Sequence, residues 1–304
     1  MKQNRLGAHH AVIVAVLLAF AFVLMGVWIR MMSESFGTFQ QVYLRILIAG
    51  VLALVFFRNK FSKGLIKNLS QRDWSVYIVR SLMAYTVGVG AFTIAIQHAQ
   101  LGTVSFISSL PILGLLSWIL FRERLPVKSL PFVLLSVVGL LLVTKVNIHN
   151  IQFGVGELAS IVGMLGFDIG YLMSRMHNKE RNNYENTTIL LLVGWIPLFA
   201  LSILNNERLW PQHVTSLALI GLILSSIQNV IGLYAINYVF GNLKAYVAGN
   251  ILLIEGFFAV IVGYLLYNEP LTLSLLLGGS IIVYRAFMIN RIERDFPKGK
   301  VVSK

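Results

Sequence analysis

The segment Ser117-Trp118-Ile119-Leu120-Phe121-Arg122-Glu123-Arg124-Leu125 returns in altered form as Gly263-Tyr264-Leu265-Leu266-Tyr267-Asn268-Glu269-Pro270-Leu271. Two aromatic residues, a glutamate and a leucine recur at the same spacing, and each copy closes a long apolar run. Such runs fill the chain: 10–29, 39–57, 74–96, 101–121, 127–145, 154–175, 187–204, 214–237, 243–267 and 271–290. A helix needs about twenty mostly apolar residues to cross the hydrocarbon of a bilayer, and each run is near that length or longer. The first follows Lys2 and Arg5 in the manner of a signal sequence. Nine further runs favour reading it as an uncleaved helix.

Composition points the same way. Hydrophobic residues make up 57% of the 304 positions and charged residues only 12%, with a mean hydropathy of +0.77. A soluble globule spends about a quarter of its residues on charges. The formal net charge of +13 is spread loop by loop rather than gathered with exposed aromatics, so it signals membrane orientation and not nucleic acid. Lys and Arg stay on the cytoplasmic side of a membrane. With the N-terminus inside, 19 of them fall on inner segments and 3 (Arg30, Lys145 and Arg208) on outer ones. Both termini are then cytoplasmic. The expected protein is all-α and spans a plasma membrane, of the bacterial inner-membrane kind, with about ten transmembrane helices.

The two matching segments each end the fourth helix of a five-helix half, near residues 1–150 and 151–304. Five is odd, so the second half lies upside down relative to the first. Glu123 then falls at the inner face and Glu269 at the outer face. Inverted repeats are a common basis of secondary transporters, with substrate held near the midplane between them.

Several short motifs extend the match: Arg45 with Ala49; Arg80-Ser81-Leu82; Ser109-Leu110-Pro111; Arg122-Glu123-Arg124-Leu125; Leu253-Ile254-Glu255-Gly256; and Asn268-Glu269-Pro270-Leu271. On these residues the chain resembles the ten-helix EamA-type branch of the drug/metabolite transporter superfamily over nearly its whole length. The family pattern usually has Pro after the mid-helix glutamate, where this chain has Gly256, a change expected to soften the kink. The resemblance implies secondary transport by alternating access, with no cofactor, and leaves the solute open among amino acids, nucleotide-like metabolites, amines and drugs.

Ionisable side chains inside a membrane are costly and tend to line a pathway. Glu255 lies halfway along the ninth run, beyond reach of either surface. It reads as a proton-coupling carboxylate, as a counter-ion for a substrate amine, or as half of a structural ion pair. Asp168 is its equivalent in the sixth run and shares a face with Tyr171 and Arg175. Glu157 is close enough to the outer surface to reach water. Arg80 and Arg45 sit a short way inside the third and second runs, where a guanidinium either clamps a carboxylate or snorkels to the interface.

Ser105, Ser108, Ser109, Asn250, Gln228 and Asn229 either contact substrate or bond between helices. Tyr85 and Phe92, seven positions apart, are expected on one face, with Tyr246 a further aromatic. Pro111 removes a backbone hydrogen bond and marks a hinge with Gly256. Gly88, Gly90, Gly166 and Gly170 read as close helix contacts, and Glu123 and Glu269 as either local caps or gates.

Other functions fit less well. The chain has no Cys, so disulfides and thiolate metal sites are excluded. Its six His lie at run ends and loops, without the His-Glu-x-x-His spacing of a metal hydrolase. Neither a nucleophile elbow nor a Walker motif is present, so no enzyme is expected. A channel would need rings of like groups from a symmetric assembly, and the oligomeric state is not legible. Acidic Glu255 and Asp168 with Arg80 favour an amino acid, an amine or an amino-acid-derived solute, with proton coupling in one reading. Export of drugs or hydrophobic metabolites is the alternative.

Overall fold

The structure, a computed structural model, describes residues 2–62, 69–108, 112, 116, 119–120, 130–143, 154–178, 181–243, 245–252 and 254–294. Among them there is no strand. The helices are α1 (Lys2–Ser33), α2 (Thr38–Phe57), α3 (Gln71–His98), α4 (Leu101–Ser108), α5 (Leu130–Val143), α6 (Val155–Met173), α7 (Asn183–Leu204), α8 (Ser216–Asn242), α9 (Ala245–Leu252), α10 (Ile254–Tyr267) and α11 (Leu273–Arg294). Seven spans among the described residues are long and apolar enough to cross a membrane: α1, α2, α3, α6, α7, α8 and Val247–Tyr267. The runs expected at 101–121, 127–145 and 271–290 correspond in part to α4, α5 and α11.

Polar side chains set several helix starts. Ser70 Oγ accepts from the Asp73 amide while Asp73 accepts from the Ser70 amide, a reciprocal cap on α3. Asn182 caps α7 and Thr215 caps α8 in the simpler way. Large apolar side chains, Leu17, Phe56, Leu204 and Leu265 among them, stand exposed on the outside of the bundle, as a lipid-facing surface requires.

The most extensive helix pairs each join the two halves of the chain: α2 with α7, α1 with α8, α3 with α6, and α5 with α11. Glycine permits the α3–α6 approach. A Cβ on Gly166 would lie 2.5 Å from the Gly88 amide nitrogen, and one on Gly170 would lie 2.7 Å from Ala84 Cβ. Gly90 does not share this role, because its nearest neighbours would be 3.8 Å away.

At this contact α3 is not a regular α-helix. Residues Leu82–Val89 are π-helical, and the Gly90 amide reaches back five residues to the Tyr85 carbonyl. The wider turn corrects one expectation. Tyr85 belongs to the apolar cluster of α2 and α7, with Ile46 and Leu198. Phe92 belongs to a separate one with Val23, Ile29 and Ala259. Seven residues bring a side chain back to the same face only in an uninterrupted α-helix.

Gly166→Val should therefore cost about 1–3 kcal/mol through overpacking against backbone, and lower the melting temperature of the detergent-solubilised protein. Gly90→Ala should be nearly silent in the same measurement.

Candidate functional site

The two acids singled out by cost lie inside the bundle. Asp168 on α6 is 7% exposed and Glu255 on α10 is 8% exposed. Glu255 accepts one hydrogen bond, from Ser105 Oγ on α4 at 3.1 Å. Asp168 Oδ2 has no partner among the described residues, and neither has Ser108 Oγ, also on α4. Tyr171, one turn from Asp168, stands within electrostatic reach of Asp168, Glu255, Tyr85 and Arg80. Its ring stacks on Phe167 at 5.9 Å between centroids, and the Phe240 ring lies 5.3 Å from it at a tilt. Phe92 packs edge-on against Phe167. The aromatic wall thus runs Phe92, Phe167, Tyr171, Phe240, and joins α3, α6 and α8. Gly256 lets α10 close on α4, since a Cβ there would meet the Phe106 ring at 2.6 Å. The backbone of Tyr246 and Asn250 lies in α9; Ser109, Pro111 and Glu123 lie outside the described residues.

Neither arginine snorkels. Arg45 is 0% and Arg80 1% exposed. Arg80 spends all three guanidinium nitrogens within the protein: Nε on the Gly170 carbonyl, Nη1 on His177 Nε2, and Nη2 on Asn237 Oδ1. It ties α3 to α6 and α8.

At the end of the bundle where α1 stops, a cavity of about 810 Å³ opens among Arg30, Ser33, Gln97, Thr103, Glu157 and Glu269. Glu157, expected to reach water, lines it. Arg30 Nη1 lies 2.7 Å from Glu269 Oε1, its Nη2 donates to the Ala99 carbonyl, and its guanidinium sits 4.3 Å over the Tyr267 ring. Glu269 also accepts from the Leu101 amide at 3.0 and 3.1 Å, so it caps α4. Asn268 makes this possible by adopting φ 50°, which turns the chain back after α10.

The same device appears once more. Asn206 has φ 55°, and the following Glu207 accepts from the amides of Phe39 and Gln40 at the start of α2 and from Ser202 Oγ. The Arg30 contact also has a counterpart, since Arg175 Nη2 donates to the Leu243 carbonyl at 3.1 Å, two residues before α9. Sequence reasoning passed over Glu207 and Glu185. Buried Glu185 holds the Ser62 amide and hydroxyl. The Asn-Glu pair following an apolar run was the available signal for Glu207; Glu185 carried none.

His177, just past the end of α6, is desolvated and faces Arg80, and together these push its pKa down to about 3. It is therefore neutral when folded, while in the unfolded chain it protonates near 6.5. Its contribution to stability is present above pH 6.5 and lost progressively as pH falls toward 3. Melting temperature should drop between pH 7 and pH 5, and His177→Asn should reduce that drop.

Two copies of the EamA-like transporter family model match this chain, at residues 9–145 and 154–291. A WAT1-related chloroplastic protein of Arabidopsis thaliana is 25% identical over 86% of this chain. The chain spans 64% of the length of that relative. The uncharacterized transporter YoaV of Bacillus subtilis is 25% identical over 81% of this chain and 84% of its own. A solved crystal structure shares the fold, with a TM-score of 0.67 and 16% identity over 94% of this chain and 98% of that one. The chain belongs to the EamA-like transporter family, with one family domain in each half, and is a multi-pass membrane protein.

Proposed function

We propose that this transporter moves a small polar metabolite, an amine, an amino acid or an amino-acid-derived solute, by alternating access between two inverted five-helix halves in a plasma membrane. The observation that carries the reading is Asp168: a carboxylate 93% buried in an apolar bundle, with an oxygen that nothing in the described protein bonds. A buried ionised group without a partner costs several kcal/mol. It is retained where a ligand or a proton completes it. Glu255, held by Ser105 alone among the described residues, is poised in the same way.

This reading gives each residue a role. Asp168 and Glu255 take the solute's ammonium or the coupling proton. Tyr85, Tyr171 and Ser108 are assigned to line the site, and Asn250 and Tyr246, of which only the α9 backbone is described, are assigned to it on the sequence pattern. Arg80 acts by fixing α3 against α6 and α8, at the edge of the site. Gly256 lets α10 pivot on Phe106. The Arg30–Glu269 pair closes one end and parts when that end opens. With both termini in the cytoplasm, that end is the outer one.

The test is thermal stabilisation of the purified chain against amino acids, amines, nucleosides and nucleotide metabolites, followed by flux in proteoliposomes. A solute at a hundred times its dissociation constant should stabilise the fold by about 2.7 kcal/mol. The shift should disappear in Asp168→Asn, and Glu255→Gln should abolish flux or free it from the proton gradient. Counterflow should accompany flux in the wild type. Wild-type flux in both variants at every pH would remove the two acids from the mechanism.

A further inference from the structure

Arg45 presents the opposite electrostatic problem to Asp168, in a different part of the bundle. Its Nη2 donates to Thr93 Oγ1 at 3.1 Å, and its Nη1 reaches only the sulfur of Met25 at 3.5 Å. Its Nε has no partner among the described residues. Thioether sulfur is a weak acceptor, and a guanidinium carries five N–H donors and keeps its proton in proteins. Arg80, equally buried, has an oxygen or nitrogen partner on each of its three nitrogens, whereas Arg45 does not. Among the described residues the one ion pair is Arg30–Glu269, and no carboxylate pairs with Arg45. A fully buried cation with neither a counter-charge nor its full set of bonds is an incomplete site.

The surroundings connect it to the cavity. Ser33 and Gln97 line the cavity wall. Gln97 donates to Ser33 and accepts from Thr38. Behind them Gln41 is buried and bonds only weakly to Ser33, and its Oε1 has no partner. Turning that amide over would exchange its acceptor for its donor end. One helical turn deeper lie Arg45 on α2 and Thr93 on α3, four residues from Gln41 and Gln97 on the same faces. Thr93 gives its own hydroxyl proton to the Val89 carbonyl, so its oxygen accepts from Arg45. A polar seam therefore runs from the cavity, between α1, α2 and α3, to an unsatisfied guanidinium.

We propose that Arg45, with Gln41 and Thr93, forms an anion-binding subsite at the inner end of this seam. Its ligand is a small anion that accepts the guanidinium's spare N–H bonds, either the carboxylate of a transported solute or an inorganic counter-ion. The proposal does not depend on the role given to Asp168 and Glu255.

The experiment uses the full chain in detergent, with sodium acetate and sodium chloride titrated separately and ionic strength held with sodium HEPES. Wild type should show a saturable rise in melting temperature with at least one of the two anions. Arg45→Gln should lose that rise. Arg45→Lys, which keeps the charge but not the fork, should need roughly tenfold more anion, the loss of one charge-assisted bond. Acetate acting well below chloride concentrations identifies a solute carboxylate, and chloride acting as well or better identifies a resident counter-ion. If Arg45→Gln does not fold, Gln41→Leu and Thr93→Val, which keep the guanidinium, should each move the midpoint to higher anion. The proposal fails if neither anion stabilises the wild type, if Arg45→Gln responds as the wild type does, or if both of the last two variants leave the midpoint unmoved.

Discussion

A charge or a helix end withdrawn from water into this bundle has to find its partner within the protein, because lipid offers none. That requirement explains most of the polar architecture. The first amides of α2 and α4 would be orphans, and Glu207 and Glu269 reach across from other parts of the chain to take them. Each glutamate follows an asparagine in the left-handed conformation, which ends one helix and aims the carboxylate at the next. A single short device thereby stops a helix, starts another and joins segments far apart in sequence.

The same requirement sorts the remaining polar groups into two kinds. Arg80, Glu185, Glu207 and Glu269 are met by carbonyls, amides, hydroxyls or an opposite charge, and they hold helices in place. Among the described residues, Asp168, Ser108, Gln41 and Arg45 are each left with an atom unmet. Asp168 lies between Phe167 and Tyr171 of the aromatic wall in sequence, Ser108 stands on α4, and Gln41 and Arg45 lie on the polar seam. On the proposed reading such bonds are left for the cargo, since a site that is complete when empty gains nothing by binding.

How far this could be read from residues depended on whether the cause was local. The apolar runs were legible because lipid imposes a length and a composition on any helix that crosses it. Helix ends shifted where a cap decides: the run at 74–96 became Gln71–His98 behind Ser70 and Asp73, and that at 187–204 became Asn183–Leu204 behind Asn182. Asp168 and Glu255 stood out because an acid in an apolar run is expensive wherever it points. Glu185 and Glu207 did not, because acids in short polar segments are ordinary and their partners, Ser62 and the α2 amides, are remote in sequence. Nor could spacing reveal that Arg80 meets Asn237 and His177, or that Tyr85 and Phe92 part company. The π-helical stretch between them has no signature in the hydrophobic pattern.

That stretch also bears on how the chain can vary in length. Five-residue hydrogen bonding between Leu82 and Val89 absorbs chain that a regular α-helix would not. Losing one residue there would restore regular winding, and because the wide turn already takes up that residue, Phe92, Thr93 and Gln97 would face nearly as they do now. The seam and the aromatic wall would keep their register with one another. A one-residue deletion is therefore easier to absorb within Leu82–Val89 than in the regular turns on either side, where it would swing everything beyond it by about 100°.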